Sequence, residues 1–201
     1  MNLKGKQAKQ PQEKLGWEKT LLMYMHDLMY MLAVVLVIFV LLFRSMVVDG
    51  FSMYNTLTDG DYLLLVGNLI YPNPKQGDII VASKKSFREG EAIVKRVIAT
   101  EGQTVDIDFD EGIVYVDGEP LEEPYTYTPT NLEEGTQFPL TVDENCVIAM
   151  GDNRNNSKDS RSPEIGQIDR REILGRVLFL FLPGVNPETQ TRDYSRIGVI
   201  K

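Results

Sequence analysis

Two short stretches of this chain carry residue types suited to nucleophilic chemistry. The first is VVDGFSMYNTL, residues 47–57, which sets Ser52 just after Gly50 and Phe51. The second is AIVKRVIA, residues 92–99, where Lys95 shares one face of an expected strand with Ile93 and Val97. A serine hydroxyl is a weak nucleophile and needs a base to take its proton. The chain has one histidine, His26, far in sequence from both stretches, and this excludes a histidine triad. A lysine serves as base only when neutral. Its ordinary pKa of ~10.4 keeps it charged at neutral pH, but burial among apolar groups lowers that value by up to about 3–5 units. Ile93 and Val97 are suited to such desolvation. Ser52 and Lys95 therefore form a candidate Ser-Lys pair, with the Ser52 backbone N–H as an oxyanion donor.

A third stretch, GDNRNNSKDSRSP at residues 151–163, follows an expected strand. A calcium loop would need acceptors at alternate positions, a central glycine and a closing glutamate. Counted from Asp152, the third, sixth and twelfth positions are Arg154, Ser157 and Pro163, so that reading fails. The composition suits an internal network in which Asp152 and Asp159 accept from Arg154 and Arg161, bracing a site. A hydroxyl from this loop would orient the lysine amine, as the third member of a triad orients its base. Lys95 and Arg96 point to opposite faces of their strand, and both faces are apolar. At least one cation meets a special environment, or the strand lies at a sheet edge.

The elements that must position these residues read mostly as strands. DYLLLVG (61–67), GDIIVAS (77–83), AIVKRVIA (92–99), TVDIDF (104–109), GIVYV (112–116), NCVIAMG (145–151) and GRVLFLFL (175–182) are rich in Val, Ile, Leu and Phe. Asp117-Gly118 in VYVDGEPL marks a tight hairpin. Residues 119–144, rich in Pro, Thr and Glu, read as an exposed excursion from the sheet. The single cysteine, Cys146, forms no internal disulfide and reads as a small core residue. With one cysteine and one distant histidine, no metal site is expected.

Ahead of this domain runs LMYMLAVVLVIFVLLF, residues 28–43, without a charge. As a helix it measures about 24 Å at ~1.5 Å per residue, against a hydrocarbon core of ~30 Å. The span is expected to lengthen by snorkelling of Arg44 with SMVV continuing the helix, or by TLLMYMHD on the other side. Lysines on its N-terminal flank set that end in the cytoplasm. RSMVVDGF offers no small-x-small cleavage pair, so the anchor is expected to stay uncleaved. The expected division is a cytoplasmic segment 1–27, a transmembrane anchor 28–44, and one extracytoplasmic all-β domain of coiled antiparallel sheets, 45–201. Charge divides likewise. Lys4, Lys6, Lys9, Lys14, Lys19 and Arg44 against Glu13, Glu18 and Asp27 give residues 1–44 a sum of +3, and the total of -8 leaves -11 for the rest. So acidic a domain is not expected to bind nucleic acid.

GFSMYNTL, GDIIV, KRVIATEGQTV and GDNRNNSKDSR occur in that order behind the anchor. In this the chain resembles the bacterial type I signal peptidases, membrane-bound Ser-Lys endopeptidases, and Gly50 gives it a Gram-positive-like cast. The resemblance runs from the anchor to about Pro183. It implies that Ser52 is the nucleophile and Lys95 the general base, that Ser157 supplies the hydroxyl positioning the lysine, and that Asp159 and Arg161 form a supporting salt bridge. Asp152 and Arg154 would be further braces, and Met53 would lie beside the nucleophile in the cleft. Met46, Val48, Leu57, Ile93 and Val94 are expected to line shallow apolar pockets selecting small residues before the scissile bond. The sequence departs from the family pattern at Asn55, where proline is usual. At Gly50 some relatives carry a serine whose hydroxyl adds to the oxyanion hole.

The implied function is removal of signal peptides from exported preproteins by a monomer at the lipid bilayer, with no cofactor. Ser52 stands eight residues beyond Arg44, no more than ~29 Å at full extension, which tethers the nucleophile near the outer membrane surface. Two alternatives stand beside this reading. One is an assembly factor of related fold, but such relatives tend to have lost the serine or the lysine, and this chain keeps both. The other is a self-cleaving repressor-type Ser-Lys protease, which would carry a DNA-binding domain or a cleavable arm and no such anchor.

Overall fold

In the computed structural model, residues 16–186 and 189–200 are described. They fall into two units that part between Leu41 and Leu42. The first contains all but the last residue of helix α1 (Trp17–Leu42), which is 26 residues long with none buried. At ~1.5 Å per residue this is about 39 Å, enough to cross the ~30 Å hydrocarbon layer. The helix departs from the expected 28–44 at both ends. TLLMYMHD extends it on the N-terminal side, whereas Phe43 and Arg44 already belong to a strand and SMVV does not continue the helix. The reason is a main-chain ladder, in which Phe43 pairs with Val66 and Arg44 with Leu65. Residues 1–15 of the expected N-terminal segment lie outside the described residues, and 17–27 are helical.

The second unit is built from short antiparallel strands: β1 (Phe43–Val47), β2 (Tyr62–Gly67), β3 (Ile79–Ser83), β4 (Ala92–Thr100), β5 (Thr104–Asp108), β6 (Ile113–Val116), β7 (Glu119–Pro120), β8 (Leu140–Thr141), β9 (Cys146–Met150), β10 (Ile168–Asp169), β11 (Ile173–Leu182) and β12 (Gly198–Val199). A larger sheet runs β1-β2-β11-β3-β4-β9-β10, with β12 on β11, and a smaller one runs β7-β6-β5-β8. The mainly-β, antiparallel class is the expected one. The Asp117-Gly118 turn joins β6 to β7 with both residues at positive φ, +54° and +86°, as a two-residue hairpin of matching twist requires.

Three features of this layout bear on the site. Strand β4 is interior, paired to β3 on one side and β9 on the other, and Ile93 through Ala99 are all buried, so the edge-strand reading of its two cations does not hold. The excursion 119–144 is not a free loop. Its ends pair as β7 and β8, Thr130 is buried, and Tyr127 N–H donates to Asp152 O at 3.0 Å. A core cluster of Leu63, Leu65, Val81 and Val177 lies against the segment between β1 and β2 and takes in Met53 and Leu57. Cys146 packs, half-buried, against a separate cluster to which β4, β5, β6 and β9 contribute.

Candidate active site

Ser52 sits on the loop between β1 and β2. Val48 N–H donates to Asp61 O at 2.8 Å and Gly60 N–H to Val48 O at 2.9 Å, closing the loop at its base. Gly50, at φ +88°, adopts a left-handed conformation open to glycine, and its N–H donates to Asp59 Oδ1 at 2.8 Å. Beyond the serine, Met53 and Leu57 are 1 % and 0 % exposed and fix the loop to the core. Ser52 O accepts from Asn153 N–H at 3.0 Å, and Phe51 O from Asn153 Nδ2 at 3.2 Å. The loop is thus held from below by packing and from the side by the 151–163 segment. The Ser52 N–H has no acceptor among the described residues.

Lys95 projects from β4 and is 4 % exposed. Its Nζ donates to Ser52 Oγ at 2.8 Å and to Val94 O at 2.9 Å. Burial disfavours the ammonium and brings its pKa down to about 8, with Arg161 acting in the same direction; Asp159, Glu134 and Asp152 oppose the shift.

The polar loop folds around Asp159. Arg161 Nε donates to Asp159 Oδ1 at 2.9 Å and Nη2 to Oδ2 at 2.8 Å, and both residues are fully buried. Desolvation by itself would raise the carboxyl pKa, but the Arg161 hydrogen bonds and charge outweigh it and hold it below the usual range. Gly151 N–H donates to Asp159 Oδ2 at 2.9 Å. A Cβ on Gly151 would lie 2.2 Å from Ser157 Oγ and 2.5 Å from Ser52 O, so glycine is required there by close approach.

Several expected contacts are made with other partners. Ser157 Oγ donates to Asp159 Oδ2 at 2.8 Å, and the two recorded partners of Lys95 Nζ are Ser52 and Val94. The hydroxyl is bonded to Asp159, whose charge acts on the lysine. Asp152 does not pair with Arg154. It takes two bonds from Arg96, at 2.9 and 2.8 Å, and Thr56 Oγ1 donates to it at 2.5 Å. The Arg96 guanidinium stacks on Tyr125, 3.9 Å from the ring centre. Arg154 donates to Gly151 O at 3.0 Å, to Thr130 Oγ1 at 2.7 Å, and to both oxygens of Glu123. Arg96, Glu123, Tyr125 and Thr56 therefore belong to the site's frame without being foreseen in that role. The signal for Arg96 was its position, one residue from Lys95 on a strand apolar on both faces. Nothing in the acidic stretch 119–144 distinguished Glu123 from its neighbours.

A cleft of about 390 Å³ opens over Ser52 and Lys95. Met46, Val48, Ile93 and Val94 line it as expected, together with Phe87, Glu134 and Ser157. Met53 and Leu57 do not, because both are turned into the core beneath the loop. A serine hydroxyl against a desolvated amine, with a free backbone N–H and a cleft walled on one part by Met46, Val48, Ile93 and Val94, is equipped for acyl transfer.

Known proteins resemble this chain over most of its length. A sequence profile described as "Signal peptidase, peptidase S26" matches residues 21–182. Probable signal peptidase I-1 of Synechocystis sp. is 40 % identical over 140 residues, covering 66 % of this chain and 67 % of that protein. Signal peptidase I S of Bacillus subtilis is 29 % identical over 180 residues, covering 85 % of this chain and 94 % of that protein. The crystal structure of a signal peptidase I from Enterococcus faecalis V583 aligns at 28 % identity and a TM-score of 0.42, over 52 % of this chain and 96 % of that one.

Proposed function

This chain belongs to the signal peptidase family, peptidase S26, and on that premise we propose that it is a membrane-anchored serine endopeptidase removing N-terminal signal peptides from exported preproteins by a Ser-Lys mechanism. The observation that carries this reading is the 2.8 Å contact between Lys95 Nζ and Ser52 Oγ, made by an amine whose burial lowers its pKa to about 8. At pH 7 about one lysine in ten is then neutral, against fewer than about one in a thousand for an exposed lysine.

Neutral Lys95 takes the Ser52 proton as Oγ attacks the scissile carbonyl. The developing oxyanion is met by the Ser52 N–H, which no group of the described chain occupies. Lys95 then gives its proton to the leaving amine, and water, activated by the same amine, releases the acyl group. Asp159, Arg161, Asp152 and Arg154 act through the frame: they fix segment 151–157, which holds Ser52 O. Selection for a small-x-small site would come from the shallow cleft wall of Met46, Val48, Ile93 and Val94. The lysine-bearing N-terminus places that end in the cytoplasm and the domain after Leu42 outside.

The test is cleavage of a purified preprotein by the detergent-solubilised chain beside Ser52→Ala and Lys95→Ala. Cutting after a small-x-small site, lost in both variants, supports the reading. Cleavage that survives Ser52→Ala overturns it.

A further inference from the structure

The C-terminal SRIGVIK carries no catalytic motif and lies beyond residue 182, where the family match ends. Its arginine nonetheless reaches the loop that bears Ser52. Arg196 Nη1 donates to Asp61 Oδ1 at 3.0 Å and to Thr58 Oγ1 at 3.0 Å. Nη2 donates to Asp61 Oδ2 at 2.6 Å and to Thr56 O at 3.2 Å. One planar guanidinium thus grips three residues of the stretch that follows the serine.

Asp61 is the hinge of this contact. It is 0 % exposed and also accepts Thr58 N–H and Gly184 N–H, at 2.8 and 2.7 Å. Its own carbonyl accepts Val48 N–H and so closes the loop. Thr56 links the grip to the base's strand. Its carbonyl takes Arg196, while its hydroxyl donates to Asp152, the partner of Arg96 beside Lys95. The tail has a fixed seat, since Gly198 and Val199 pair with β11 and Ile200 N–H donates to Leu178 O at 3.1 Å. The guanidinium is therefore held by the same sheet that contains β4.

We infer that Arg196 is a positioning residue for catalysis: it sets the Ser52 loop against Lys95 through Asp61 and Thr56, which makes the C-terminal tail part of the enzyme's machinery although it touches no substrate. The inference rests on Ser52 being the nucleophile. Proton transfer needs the two heavy atoms within about 2.6–3.2 Å, and displacement by an ångström costs on the order of 10²-fold in rate. A lysine would keep the charge opposite Asp61, but a single ammonium does not reproduce the fork that spans the carboxylate, Thr58 and Thr56 O.

The experiment uses the full chain in detergent: wild type, Arg196→Lys, Arg196→Ala, Arg196→Ala with Asp61→Asn, and Ser52→Ala. Each is assayed on a preprotein for kcat and KM, and its melting temperature is taken. Arg196→Ala is expected to lose at least tenfold in kcat, with KM within twofold and a lowered melting temperature. Arg196→Lys is expected to melt near wild type and still lose several-fold in kcat. Removing the unpaired carboxylate in the double variant is expected to restore the melting temperature but not kcat. Recovery of kcat together with the melting temperature, or full kcat in Arg196→Lys, overturns this inference alone. Cleavage by Ser52→Ala overturns the nucleophile assignment, and this inference with it.

Discussion

Lys95 and Arg96 are neighbours in sequence, are both buried, and serve opposite faces of β4. Lys95 Nζ meets Ser52 Oγ at 2.8 Å, while Arg96 clamps Asp152 with bonds of 2.9 and 2.8 Å. The period of two along a strand separates the base from the brace. On one face a cation without a carboxylate partner is pushed towards neutrality. On the other a cation is fully paired. Asp152 in turn holds Thr56 on the nucleophile loop, so a displacement of β4 would move both members of the pair.

Lys95 is buried at a cost, and its removal is expected to leave a more stable protein. Its folded pKa, about 8, lies below the ordinary value of 10.5. Below pH 8 both folded and unfolded chains are protonated, and the penalty for burying the charge, on the order of 3 kcal/mol, is fully present. Between pH 8 and 10.5 the unfolded chain binds more protons than the folded one, so stability from this group rises with pH. Lys95→Met is expected to be inactive, to melt above wild type at pH 7, and to lose that advantage by pH 10. Melting curves at the two pH values check it; an equal difference at both would contradict the assignment.

The same shift sets the pH dependence of cleavage. Only neutral Lys95 accepts the Ser52 proton, so kcat/KM is expected to rise about tenfold per unit below pH 8 and to level off above it. A rate profile from pH 6 to 9.5 on a preprotein reads this directly, and a flat one would remove Lys95 as base. Ser157→Ala is expected to leave the midpoint within a few tenths of a unit, because its hydroxyl bonds to Asp159 and not to the amine.

Arg96→Ala leaves the Asp152 carboxylate buried and unpaired. Breaking one side of such a pair costs about 3–5 kcal/mol. A fall in melting temperature accompanied by loss of activity is expected. A variant melting within a degree or two of wild type would show that Asp152 finds other partners.

Gly151→Ala tests the close approach of the polar loop to the nucleophile. Its Cβ would fall 2.5 Å from Ser52 O and 2.2 Å from Ser157 Oγ, and the Ser52 neighbour is backbone. Overpacking of this kind costs about 1–3 kcal/mol, and the displaced serine is expected to lower kcat by on the order of 10²-fold. Gly50→Ala is a useful companion, because nothing lies within 4 Å of its Cβ and only the positive φ opposes it. Similar kcat losses in both variants would argue that the effect is backbone strain and not the clash.

The sequence determined the class of the fold, most of its strands and the two residues that meet in the cleft. Runs of β-branched and aliphatic residues between turn formers specify strands whatever they pair with, and an uncharged apolar run behind a charged N-terminus specifies a helix suited to lipid. Tertiary structure alone decided the partners. Alternation tells which face a side chain takes and not which distant segment covers it. Asp152 therefore went to Arg96 and not to its near neighbour Arg154, and Arg154 went to Glu123, 31 positions away in the excursion. Met53 and Leu57 turned into the core because the sheet beneath the loop offered apolar surface. The helix stopped at Leu42 because β2 supplied a ladder for Phe43 to Val47, which no local pattern announces. Arg196, at the far end of the chain, met Asp61 only because β12 docks on β11. Local propensity is written residue by residue, whereas a buried charge takes as its partner whatever the register of remote strands brings within reach.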